Sequence, residues 1–231
     1  MLRICTLSAV VAGALVAVAV FAAPPPVNTH PELHEIAGTV KASNLHATDA
    51  ALVGFGTRHT LSTTTSKTRG IGAARRWVAA QFNEISKGCG GCLEIVKPSQ
   101  VFAGERMPRA GAEVMDVVAI QRGTSDPNRV IVMTAHLDSR RSDVMDATGD
   151  SPGANDDAAG VAALIETARV LSKYKFPATL VYSADSGEEQ GLFGGKIIAQ
   201  YAVDHGWNVE ADLNNDMVGN SHGGNGAYDP H

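Results

Sequence analysis

Short apolar runs alternate with stretches of helical period after residue 130, and that alternation is the tightest constraint in the chain. Val130–Met133, Leu180–Ala184 and the stretch from Val209 to Gly219 have strand length, while Val161, Leu164, Ile165, Ala168 and Leu171 recur at helical spacing between the first two. A strand–helix–strand–helix–strand order implies an α/β unit with parallel strands, and such sheets carry their chemistry at the carboxyl ends of the strands.

The residues at those ends are chemical ones. Val130–Met133 leads into His136, and Asp138 lies two positions on, on the same face of an extended chain and within reach of the imidazole. A metal-binding His usually gives its second ring nitrogen such a partner, so His136 is the candidate ligand and Asp138 the group that orients it. Asp156 and Asp157 open the helical segment Ala158–Tyr174; acids at a helix start are also favoured by capping and the helix dipole. The polar loop between Ser139 and Asn155 is long for a connection in a compact domain, a property of functional loops. Leu180–Ala184 runs into Glu188 and Glu189, whose side chains should diverge, one toward a metal and the other toward a water to be deprotonated. The last strand ends near Asp216.

Taken in order, His136-Leu137-Asp138, Gly153-Ala154-Asn155-Asp156-Asp157-Ala158-Ala159-Gly160, Glu188-Glu189-Gln190-Gly191-Leu192 and Asp216-Met217 resemble the zinc aminopeptidases related to glutamate carboxypeptidase and the transferrin receptor ectodomain. The resemblance spans roughly residues 50 to 231. It implies a three-layer αβα sandwich around a mixed, mostly parallel sheet, incomplete at the C-terminus. It also implies two Zn2+, with Asp156 bridging them, His136 and Asp216 completing one site, Glu189 serving the other, Glu188 as general base and Asp138 orienting His136. In that family the peptide between the acids matching Asp156 and Asp157 is cis.

The chemistry agrees with the residue types. Imidazole with carboxylates suits zinc, with cobalt or manganese as substitutes. Paired divalent ions sharing a carboxylate activate a water and polarise a carbonyl, which is peptide-bond hydrolysis when a carboxylate such as Glu188 carries the proton. The family resemblance implies an exopeptidase, an aminopeptidase acting on peptides with a free N-terminus. A glutaminyl-cyclase-like enzyme with one zinc and a non-catalytic binding domain are the alternatives. Family members carry a further metal-binding His beyond the acid matching Asp216, and neither His222 nor His231 matches it by position, so a partial chain is expected.

Residues 1–22, with Arg3 ahead of an apolar Leu7–Phe21 stretch and a small-residue cleavage site, have the form of a signal peptide, too short for a stable membrane anchor. Cys5 would leave with it. The protein is therefore expected to be secreted or periplasmic. Residues 23–45 are expected to be an extended N-terminal segment, Pro31 arguing against a helix there, and 46–231 the zinc-peptidase domain. Formal net charge is −5, which argues against nucleic acid as a partner. Cys89 and Cys92, separated by two glycines, suggest a small structural disulfide in an exported chain. The Gly72–Lys87 stretch has an amphipathic helical pattern with Trp77 and Phe82 in its core face, and Val114–Ile120 with Val130–Ala135 flank a turn signal at Asp126-Pro127-Asn128, which predicts an antiparallel hairpin.

Overall fold

The structure, a computed structural model, describes residues 30–220; the expected signal peptide, Cys5, His222 and His231 lie outside them. Five helices are described: α1 (Pro31–Ala37), α2 (Ala42–Val53), α3 (Gly70–Gly88), α4 (Ala159–Leu171) and α5 (Phe193–Asp204). The strands are β1 (Glu94–Val96), β2 (Ser99–Phe102), β3 (Ala112–Met115), β4 (Val117–Gln121), β5 (Asp126–His136), β6 (Ala178–Asp185) and β7 (Asn208–Asn214).

The main sheet has the order β1-β4-β6-β5-β7. β4 runs antiparallel to β1 and β6, whereas β6, β5 and β7 are parallel to one another, so the sheet is mixed and its site-bearing part is parallel. Alternation along β4 shows why helices are needed on both faces. Val117 and Ala119 pack with Ile71, Val78 and Phe82 of α3 and Leu164 of α4, while Val118 and Ile120 pack with Ile198 of α5. The result is the expected three-layer αβα arrangement.

The periodic segments form as their patterns require. Ile71, Ala74, Val78 and Phe82 of α3 are fully buried at helical spacing, and Trp77 packs against the same cluster partly buried. Beyond the end of α3, Cys89 and Cys92 form the anticipated disulfide, with an S–S length of 2.01 Å.

Two expectations are corrected. β4 and β5 do not form a hairpin: β6, buried along its whole length, lies between them. The Asp126-Pro127-Asn128 signal belongs to the irregular start of β5, a position where a strand tolerates a residue without an N–H. The apolar run 114–120 breaks at Asp116, whose fully buried carboxylate accepts the Ser186 N–H at 2.8 Å, and β3 pairs instead with β2 in a separate two-stranded sheet. Nor is the N-terminal segment extended where it is described, because α1 starts at Pro31 and α2 at Ala42. Proline in the first turn loses nothing by lacking an N–H, since that group has no partner inside the helix anyway.

Candidate metal centre

β5 ends at His136, which is 5% exposed, and its ring is held from behind. Nδ1 lies 3.0 Å from the backbone carbonyl of Asp138, an arrangement in which Nδ1–H donates and Nε2 presents its lone pair outward. Asp156 Oδ1 stands 2.9 Å from that Nε2, and Asp216 Oδ1 3.8 Å from it. These three residues come from the end of β5, the irregular turn Ala154–Ala158 before α4, and the segment after β7.

Asp138 takes a different part from the one its spacing suggests. Its carboxylate is 3.6 Å from His136 Nδ1, farther than its own backbone oxygen. It accepts the Thr60 hydroxyl at 2.7 Å and the backbone N–H groups of Glu188 and Glu189 at 3.2 and 3.3 Å. The fully buried carboxylate thus fixes the Glu188-Glu189 turn beside His136. Burial opposes its charge, yet the His136 ring and these donors hold it below the usual carboxylate range.

Asp157 binds three segments together. Its carboxylate accepts the N–H of His136 at 3.1 Å, of Gly160 at 2.9 Å and of Met217 at 3.2 Å, joining the three elements that carry His136, Asp156 and Asp216. A Cβ on Gly160 would stand 2.4 Å from one of its oxygens, so only glycine admits this approach. By distance alone His136, Asp157 and Asp216 offer ligand atoms within 4.8 Å of one another. Asp157, however, is fully buried with its oxygens committed to backbone donors, whereas the Asp156 side chain is 49% exposed and meets Nε2 directly. Asp156 is therefore the better-placed oxygen donor. The Asp156–Asp157 peptide is cis.

Glu188 and Glu189 diverge. Glu188 lines a cleft of about 220 Å3 with His136, Asp216 and Leu192, and burial raises it above an ordinary glutamate. Glu189 lines a second cleft, about 260 Å3, with Asp156 and Arg140, and its Oε2 is 2.6 Å from Arg140 Nε. The imidazole thus faces a concentration of carboxylates. Burial works against a charge on His136, but Asp138, Asp157 and Glu188 outweigh it and lift the ring to about 10, so the cluster favours bound positive charge, whether proton or metal.

All six sequence-derived residues converge on one end of the parallel strands, in two groups: His136, Asp156 and Asp216 around one point, Glu188 beside them, and Glu189 on the far side of Asp156 with Arg140. Sequence reasoning missed Thr60, Arg140 and the buried Arg58. None had a motif or periodicity to mark it; in the sequence Arg58 and Thr60 sit in a run of polar residues, Thr57-Arg58-His59-Thr60, that reads as a surface loop, yet the structure buries all four.

The sequence profile of peptidase family M28 matches residues 116–227. A probable zinc metalloprotease of Pyricularia oryzae is 44% identical over 200 residues, covering 87% of this chain and 40% of the relative. The chain thus spans about two-fifths of that relative's length. Among solved structures, the LapA aminopeptidase of Legionella pneumophila superposes with a TM-score of 0.61 at 19% identity, over 85% of this chain and 48% of that one. The glutaminyl cyclase of Porphyromonas gingivalis gives 0.57 at 21%, over 78% and 60%. These likenesses show the same fold.

Proposed function

The chain carries a peptidase family M28 domain, and on that premise we propose that it is a zinc-dependent exopeptidase, an aminopeptidase that releases N-terminal residues from peptides. What carries the proposal is the convergence of His136 Nε2, Asp156 Oδ1 and Asp216 Oδ1, with Glu188 lining the same cleft. One imidazole and two carboxylates from three segments that meet at Asp157 fit a catalytic zinc, which takes three protein ligands and leaves a position open. Held there, the ion supplies Lewis acidity toward a water and toward the scissile carbonyl oxygen.

The chain's own residues do the rest. Glu188, raised by burial, accepts the water's proton and delivers it to the leaving amine. Asp138 keeps Glu188 in place through the backbone N–H, and its carbonyl keeps Nε2 of His136 facing outward. Leu192, 60% exposed at the rim of the cleft, offers an apolar contact to a substrate side chain.

The family resemblance implies a second ion, which Asp156 and Glu189 would hold. The Arg140 guanidinium at 2.6 Å from Glu189 favours a one-ion variant, in which that cation neutralises the carboxylate instead. Export is part of the proposal: the Cys89–Cys92 disulfide supports an oxidising compartment, and no described helix is long and apolar enough to cross a membrane.

Replacement of Glu188 tests the assignment. Glu188→Gln should keep its zinc, counted by atomic absorption after dialysis, and lose about 100- to 10,000-fold in turnover of a leucyl amide. Loss of the ion together with turnover would make Glu188 a ligand and sink the proposed proton-transfer role. Two ions retained per wild-type chain would reject the one-ion variant.

A further inference from the structure

Arg58 is the bulkiest fully buried side chain among the described residues, 0% exposed, and it stands in the irregular stretch between α2 and α3. Every hydrogen bond its guanidinium makes is to a backbone carbonyl. Nε donates to Leu137 O at 2.8 Å, Nη1 to Pro152 O at 2.6 Å and Leu52 O at 3.3 Å, and Nη2 to Gly153 O at 2.9 Å. Leu137 follows His136 directly, and Pro152-Gly153 lead into the turn that carries Asp156. One planar fork therefore clamps the end of β5 to the start of that turn, closing the irregular loop from Ser139 to Ser151 at its base.

The backbone repeats the clamp beside it. Arg58 N donates to Ser139 Oγ at 3.1 Å, and that hydroxyl donates to Ser151 O at 2.7 Å. Gly153 has no room for a side chain: at φ 50° its Cβ would come within 2.7 Å of Ser139 Cβ and 3.1 Å of Arg58 Nη2. Burying a guanidinium with no carboxylate bonded to it is unfavourable, and apolar residues could fill the same volume. What the site gains is a fixed fork and a cation beneath Asp138, Asp156 and Asp157, whose charges help keep the group ionised although burial lowers it to about 10.

We infer that Arg58 is a positioning residue for the ion site, fixing the Asp156 turn against the end of β5 so that Asp156 Oδ1 meets His136 Nε2; the inference rests on the ion-binding role proposed above. Lysine in its place retains the charge but not the fork, since a single ammonium cannot span carbonyls on three segments in one plane.

The test is a cobalt titration of the full chain, wild type beside Arg58→Lys, Arg58→Met and Phe82→Leu. Dissociation constants and the visible band of the bound ion are followed at a temperature where near-ultraviolet circular dichroism shows each protein folded. Phe82 lies in the α3 core and touches none of the proposed ligands, so it reports destabilisation alone. Both Arg58 variants should weaken cobalt binding by about tenfold or more and shift the band, with Phe82→Leu at the wild-type constant despite a lower melting temperature. Arg58 variants that bind within about twofold of wild type with an unchanged band overturn the inference, as does an equal loss in Phe82→Leu. Wild-type protein that takes up no cobalt fails the proposed function itself, and the inference falls with it. If neither Arg58 variant folds, Ser139→Ala decides, because it cuts the parallel clamp: weaker cobalt binding supports the inference and unchanged binding overturns it.

Discussion

His136 ends a strand that is paired on both edges and buried along its last five residues, whereas Asp216 follows a strand of which six residues in seven are exposed. On the first side the ligand-bearing backbone is locked by the carboxylates of Asp138 and Asp157 and by the Arg58 fork. On the second, β7 holds to β5 through its ladder, the Thr134 hydroxyl bonds to Asp212 and Asn214, and the Asn215 N–H to Thr134 O at 2.8 Å. The enclosed half is thus set before any ion arrives; the exposed half reaches it through the Met217 N–H on Asp157, and an ion on Asp216 would add a further tie. Stability should reside in one half and ion dependence in the other.

The largest effect separates them. Asp157→Ala should destabilise the ion-free protein by about 3 kcal/mol or more, because three N–H groups on three segments, those of His136 and Gly160 buried and that of Met217 partly so, lose their acceptor together. Asp216→Ala, with a side chain 38% exposed, should shift ion-free stability by less than about 0.5 kcal/mol yet abolish the gain in unfolding free energy on adding zinc. Urea melts with and without zinc measure both. Equal destabilisation by the two variants would erase the distinction between the halves.

That asymmetry explains what was legible beforehand. His136, Asp138, Asp156, Glu188, Glu189 and Asp216 were found because strand ends and motif spacing mark them in one dimension. The six-residue group does assemble, but the working part of Asp138 did not follow from spacing: two-residue periodicity brought it near His136 without revealing that Thr60 and the Glu188-Glu189 backbone claim its carboxylate. Arg58 was invisible because its partners are main-chain carbonyls as many as 95 residues away, which no side-chain pattern encodes. The α3 and α4 helices were legible from periodicity, while the expected hairpin failed because local turn chemistry does not report that β6 inserts between β4 and β5.

A smaller effect probes the enclosed half away from the ion. Glu166 on α4 accepts from Lys41 N at 2.7 Å and Asn44 Nδ2 at 2.9 Å, pairs with Arg169, and so fastens the start of α2. Burial opposes its charge, but Arg169, Asn44 and the Lys41 N–H hold it down at about 2. A carboxylate depressed on folding stabilises above its unfolded value, near 4.3, and that contribution disappears as pH falls toward about 2. Glu166→Gln should therefore cost on the order of 2 kcal/mol at pH 7, narrowing toward zero by about pH 2, without altering zinc affinity. A gap independent of pH, in urea melts run from neutral to acid, would show that the charge is irrelevant to the clamp.

The smallest effect tests the exposed half by making it more polar. Leu213 is 55% exposed on β7, whose outer edge has no partner strand among the described residues, and a bare apolar edge invites pairing between chains. Lysine at that position keeps the β5 ladder, because backbone groups make it, and adds a charge that another edge strand must desolvate. Leu213→Lys should leave the unfolding free energy within about 0.5 kcal/mol of wild type while reducing the aggregated fraction seen by light scattering at high concentration. A loss several times larger would mean that Leu213 is packed in solution and that β7 belongs with the enclosed half, in which case Asp216 is preset as firmly as His136 and an ion adds little to the tie that Asp157 already makes.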